Sequence, residues 1–287
     1  MLGDLPARLS ARARLSVSFS GMVRPPLRIG RNLGAMDRTR RSSLSQLAYD
    51  ESQRRLRVAR GSDALRITIV HKTYSAGLVA RKRIFLLSPA NLGGIRAKQV
   101  MSDAAQFALA QQLRTAEGAA LGDVFSFVSG LYFRGKLAYA RRFSSPPDPS
   151  DAVAVGGVLV ITPNAGLRAA DVFVTLESLR RFATQPIDHE NVRYRRPLEH
   201  SARALLEAVG SDCDVVLLGS IASGKYVEVL LPIFGERLLF PESFVGRGDM
   251  SRGGLMLRCV DSGLELDYVP IAGAVRQGKR PPRLAPR

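Results

Sequence analysis

The stretch VVLLGSIASGKYVEVLL, residues 215–231, runs from an apolar segment through two glycines and a lysine into an amphipathic one. Gly219, four residues, then Gly224-Lys225 fits the phosphate-loop spacing G-x-x-x-x-G-K-[ST] except at the last place, where Tyr226 stands. That hydroxyl position ligands Mg²⁺ in nucleotide hydrolases, and a phenol on a rigid ring does not replace it. No apolar run here ends in an aspartate to hold the ion's shell, so a degenerate nucleotide loop is a minor alternative. Two readings survive, a turn whose backbone amides meet an anion at a helix start and a turn with no ligand.

Three further turns have the same glycine-rich, polar character: SPANLGGIR, TPNAGL and FPESFVGRGDMSRGG. With GSIASGK they gather Asn91, Gly93, Gly94 and Arg96; Thr162 and Asn164; Gly219, Ser220, Ser223 and Lys225; and Glu242, Arg247, Asp249 and Arg252. Glycines admit a ligand close to the backbone, and Asn presents both a donor and an acceptor to a base or sugar. Each set also has the composition of an ordinary turn. A fifth feature is the run 127–142, where Phe127, Tyr132, Phe133 and Tyr139 alternate with Arg134, Lys136, Arg141 and Arg142. Exposed, it forms a nucleic-acid contact face of stacking aromatics and phosphate-binding cations; wound as a helix, it buries the rings and solvates the charges.

Other chemistries are excluded early. Cys213 and Cys259 have no second cysteine or histidine at ligand spacing, which makes them core thiols and leaves no metal site or cofactor expected. Of three histidines, His71, His189 and His200, none sits in a catalytic context, and His200 lies at helical spacing from Arg196 and Arg203.

These residues need elements to carry them. LRITIVHKTY, IFLLS, VLVIT and VVLLG are strand-like, and they alternate with helical segments after Ser102-Asp103, after Thr175 and between Pro197 and Gly210. YVEVLLPIF reads as a helix interrupted by Pro232, and GLMLRCV and LELDYVPI read as strands joined at Asp261-Ser262-Gly263. The alternation predicts an α/β fold, a three-layer sandwich with a central largely parallel sheet and antiparallel C-terminal edge strands. In such a sheet the ligand site lies beyond the carboxyl ends of the strands, where the loops named above converge.

The net charge of +17 sits at the ends. Residues 1–60 hold thirteen arginines against four acidic residues and show no hydrophobic period, so they read as a basic, largely disordered arm. A targeting peptide, a nucleic-acid tether and a start placed ahead of Met36 all fit that arm, and the mixing of charges in MDRTRRSSLSQLAYDESQRR favours the early start or plain disorder. Residues 61–273 form one α/β domain and 274–287 a basic tail. No run reaches the ~20 apolar residues of a membrane span, so a cytoplasmic protein without membrane contact is expected.

SGLYFRGKLAYARRF followed by VLVITPNAGLRAADVFVTLESLRRF resembles a pattern of bacterial α/β proteins. DVVLLGSIASGKYVEVLL is similar to the strand-glycine-helix element of the uracil-DNA-glycosylase-like superfamily, over roughly residues 82–250. The resemblance implies a three-layer sandwich with a pocket for a base, nucleoside or nucleotide, and action on an N-glycosidic bond. It departs from that superfamily in lacking the late His-Pro-Ser loop, for which PESFVGRGDMSRGG stands, and in keeping only Asn91 of the water-activating loop. On this reading Asn91 orients a water or the base edge, Asn164 binds the base, Lys225 and Arg247 meet phosphate, and Asp249 is the acid/base. A non-catalytic nucleic-acid or protein-binding module built on Arg134, Lys136, Arg141 and Arg142 is the alternative.

Overall fold

Four consecutive apolar residues, Ile84 to Leu87, leave a strand no solvated face, and all four are fully buried at the centre of a sheet. The structure, a computed structural model, describes residues 81–284. The arginine-rich arm, the strand expected at 65–74 and the start of the domain at 61 lie outside the described residues.

The chain order is β1 (Lys82–Leu87), α1 (Ile95–Met101), α2 (Ala108–Gln112), β2 (Ala119–Ala120), α3 (Leu121–Ser129) and α4 (Leu131–Phe143). Then follow β3 (Val158–Ile161), β4 (Leu167–Ala169), β5 (Phe173–Val174), α5 (Leu176–Thr184) and α6 (Val192–Val209). The last elements are β6 (Cys213–Leu218), α7 (Gly224–Phe234), β7 (Leu238–Pro241), α8 (Asp249–Ser262) and β8 (Tyr268–Pro270).

Six strands form one sheet in the order β4-β3-β1-β6-β7-β8. The inner four are parallel, with Leu87 opposite both Val160 and Leu218, and Val215 opposite Leu238. The two outer strands run antiparallel, β4 on β3 and β8 on β7. After β1 the chain goes to β3 on one side and returns to β6 on the other, so the strand order reverses between β1 and β6. The carboxyl ends of β1 and β6 are therefore the topological switch point, the position at which open α/β sheets bind ligands.

Period-2 alternation assigns the two faces. Phe85, Leu87, Val160, Val216 and Leu218 pack with α1 to α5 and α8, whereas Ile84, Leu86, Ile161, Val215 and Leu217 pack with α6 and α7. Each such side chain contributes about 1.5–3 kcal/mol on burial, which makes the three layers mutually dependent. Cys213 and Cys259 are free and buried, one on each face.

Several elements depart from the sequence reading. Residues 254–260, expected as a strand, belong to α8, because Arg252, Gly253, Met256 and Cys259 fall on one buried helical face and Gly263, at φ +70°, ends the helix in the left-handed conformation. Ser102 starts no helix: it caps the end of α1, and the carbonyls of Ser102, Ala105 and Ala110 are taken by the Arg114 guanidinium, which holds residues 102–107 out of helix. Pro197 lies inside α6, which starts at Val192 behind an Asn191 cap, and α7 runs through Pro232 to Phe234. The TPNAGL turn leads to the antiparallel strand β4, not to a helix, with Gly166 at φ +68° closing the hairpin. Thr175 caps α5 as its sequence implies, accepting from the Ser178 N–H.

Candidate functional site

At the reversal point the strand ends meet directly: the Ser88 N–H donates to the Leu218 carbonyl at 3.1 Å. The next residue on β6's side is Gly219, where a Cβ would stand 3.0 Å from Ser88 Cβ, so the approach requires glycine or a shift of the serine. Above this junction lies Lys136 of α4, 1% exposed. Its ammonium donates to the Ser88 carbonyl and, at 2.9 Å, to Ser88 Oγ. It also lies 4.4 Å from the centroid of Tyr132 and 4.8 Å from that of Phe133.

What brings the rest of the cluster here is a helix crossing without side chains. A Cβ on Gly135 of α4 would sit 2.7 Å from the Gly253 carbonyl, and one on Gly253 would sit 2.8 Å from the Leu131 carbonyl. Such contact places Arg252 and Asp249 of α8 beside Tyr132 and Lys136. Arg252 is buried, donating Nε and Nη2 to the Phe244 carbonyl at 3.2 and 3.1 Å, with Nη1 3.6 Å from the largely exposed Asp249 carboxylate.

Burial pushes the Lys136 amine down to about 7, with Asp249 opposing that fall and Arg252 adding to it. Among the described residues no carboxylate pairs with it directly. Burial likewise raises the Tyr132 phenol to about 12, against the pull of Arg252. The Tyr132 hydroxyl is buried beside Ser88 and Arg252 without completing a hydrogen bond to either. Tyr226, in the first turn of α7, is raised chiefly by burial, next by Tyr132 and Asp249, while the Ser88 hydroxyl opposes the shift.

A second feature lies at the end of β3. Two adjoining cavities of about 300 and 700 Å³ share Asn164 and Arg181. Arg168 of β4 and Phe173 of β5 line the smaller, and Arg193 and Arg196 of α6 the larger. Asn164 donates its amide N–H to the Arg181 carbonyl at 3.0 Å, leaving its side-chain oxygen as acceptor. Arg181 pairs with Glu177 at 3.0 Å, while Arg168, Arg193 and Arg196 have no ion-pair partner among the described residues. The Phe173 side chain is exposed here, the residue being 58% accessible.

The expected residues divide accordingly. Asn91, Gly93 and Gly94 do follow β1, but Asn91 Oδ1 accepts from the Gly93 N–H at 3.0 Å and the side chain is an exposed turn brace. Arg96 turns to the Phe127 carbonyl at 3.5 Å. Ser220 Oγ accepts from the Ala222 N–H, and Lys225 is exposed at the start of α7. Arg247 is tied to the Ser243 carbonyl, Ser251 and the Pro282 carbonyl of the tail.

Lys136 is a correction. Expected on a solvated contact face, it is buried, and Tyr132, Phe133 and Tyr139 are buried with it, so no stacking surface exists on α4. Arg134 and Arg142 are exposed and Arg141 pairs with Asp171, as the core-facing reading of that helix requires. Ser88 opens the SPANLGGIR turn but gives no signal beside Asn91 and the glycines, Tyr132 reads as one ring of the aromatic run, and Tyr226 reads as a spoiled motif. The signal that finds them is a lysine directly after a glycine on a helix whose lysine-bearing face is otherwise apolar.

No helix among the described residues is long and apolar enough to cross a membrane, and no group of three or more His, Cys, Asp or Glu side chains there is arranged to hold a metal ion. No protein-family model, curated protein or solved structure matches the chain.

Proposed function

We propose that the protein binds a nucleotide or a short single-stranded nucleic-acid element in the cleft at the end of β3. The observation that carries this reading is Phe173, exposed beside Arg168 and Arg181 at a cavity wall. An exposed ring stacks a base, worth about 1–3 kcal/mol, and the guanidinium groups lining the same cavity meet phosphates while releasing their counterions. The free oxygen of Asn164 accepts from an exocyclic amine of the base.

Among the described residues no carboxylate and no histidine lines this cleft, so binding is the function its chemistry supports best. The resemblance to glycosylase-like proteins adds a separate proposed reaction, hydrolysis or transfer at an N-glycosidic bond with Asp249 of α8 as acid/base, whose ligand would lie at the α4–α8 crossing and not in this cleft, because Asp249 stands beside Lys136 and Arg252. Asp249 has the exposure for that role and the Arg252 guanidinium beside it. Binding with no turnover is the module reading, and loss of turnover in Asp249→Asn with binding intact separates the enzyme from the module.

Fluorescence anisotropy of the full chain with labelled oligo-dT and oligo-U, over a range of salt, tests the binding. The expected result is affinity that falls steeply with salt and drops about tenfold or more in Phe173→Ala, with a shallower salt slope in Arg193→Ala. Equal affinity in all three proteins would place binding on the basic chain ends and overturn the assignment to the cleft.

A further inference from the structure

The Ser88–Lys136 contact lies apart from the cleft residues, and it has the parts of an acyl-transfer centre. A serine hydroxyl sits at the end of the central strand, at the reversal point, 2.9 Å from a buried amine. A second buried hydroxyl, that of Tyr132, stands beside it with no hydrogen-bond partner among the described residues. A buried hydroxyl without a partner costs about 1–3 kcal/mol, so it is a donor ready for a ligand oxygen. We propose that Ser88 and Lys136 form a nucleophile and base pair that accepts acyl groups from esters or thioesters, with Tyr132 donating to the carbonyl oxygen.

The step balances with groups on the page. Neutral Lys136 takes the Ser88 hydroxyl proton as Oγ forms a bond to the acyl carbon, and the negative charge passes to the carbonyl oxygen facing Tyr132. As the carbon–oxygen or carbon–sulfur bond breaks, the leaving alcohol or thiol takes the proton from the Lys136 ammonium. Water then attacks the acyl-serine by the same route, returning the hydroxyl and releasing a carboxylic acid. Burial supplies the required neutral amine, since the group is near half deprotonation at neutral pH. Tyr226 and Asp249 are the more exposed members of the cluster, so the proposal requires a small ester to arrive from their side.

The test treats the full chain with p-nitrophenyl acetate and follows acetylation by intact mass and peptide mapping. The expected result is one acetyl group on Ser88, formed at a rate that rises with pH through an inflection near 7. Acetylation is lost in Ser88→Ala and slowed about a hundredfold in Lys136→Met. Because burial makes Lys136→Met a risk for folding, Tyr132→Phe serves as a second variant, slowing acetylation while retaining the inflection. An unlabelled wild-type protein, equal labelling in Ser88→Ala, or a rate that climbs with hydroxide and shows no inflection would each overturn the proposal. None of these results depends on nucleic-acid binding, so this proposal and the cleft reading fail separately.

Discussion

Gly135 on α4 and Gly253 on α8 hold the two helices in backbone contact, each lying where the other helix leaves no room for a Cβ. The consequence is geometric: a helix carrying Lys136 and a helix carrying Arg252 and Asp249 meet over the end of β1. Any side chain at the crossing pushes the two helices apart along the line that sets the polar cluster.

Gly135→Ala and Gly253→Ala are therefore expected to destabilise the protein by about 1–3 kcal/mol, the usual penalty of overpacking, despite the helical preference for alanine. Denaturant unfolding with unchanged slope measures it. A control at Gly254, where a Cβ meets only the far end of Leu284, should be neutral or mildly stabilising.

Lys136 imposes a pH dependence of definite sign. Its amine is lowered in the folded state from 10.5 to about 7, so between those values the unfolded chain binds more protons and stability rises with pH. The rise, on the order of a few kcal/mol, is present from pH 7 to about 9.5. Above that the buried tyrosines, whose ionisation is pushed up by folding, reverse the trend. Thermal melts across this range should show the rise in the wild-type protein and lose it in Lys136→Met.

Tyr268 joins β8 to the core through its hydroxyl, which meets the Tyr139 hydroxyl at 2.6 Å and donates to Glu265 at 2.7 Å. Glu265 pairs in turn with Arg83, whose guanidinium lies over the Tyr268 ring. Tyr268→Phe is expected to lower stability by about 1–3 kcal/mol, read from the unfolding midpoint, with the sheet order unchanged.

Thr175 starts the helix that carries Ser178 and Arg181 into the cleft. Thr175→Ala should cost about 1 kcal/mol, whereas Thr175→Ser keeps the capping oxygen and most of the stability. Equal losses in both variants would assign the effect to packing instead of the cap.

How far the sequence reveals this arrangement depends on the kind of information each part needs. IFLL and VVLLG announce buried parallel strands because both faces must be apolar, and Thr175 announces a helix start by local chemistry. Ser102 and the segment 254–260 mislead because more distant partners decide them, Arg114 occupying the Ser102 carbonyl and Gly253 being needed against α4, whereas Pro197 misleads because a local cap at Asn191 starts α6 well before it. Loop composition places Asn164 and Gly219 just beyond strand ends, whereas Asp249 and Arg252, read there as part of a turn, belong to α8. It gives Ser88 and Tyr132 no role in the polar cluster and mistakes Lys136 for a surface cation, because a buried amine is recognised only when the serine that accepts its hydrogen bond is brought across 48 positions of chain.

The most direct test of the cleft is photocrosslinking of the full chain to an oligonucleotide carrying 5-bromouridine, with the attachment site mapped by mass spectrometry. Attachment at Phe173 or elsewhere within residues 164–182, abolished by Phe173→Ala, is the predicted result. Attachment confined to the arginine-rich chain ends, with none in that segment, would contradict it.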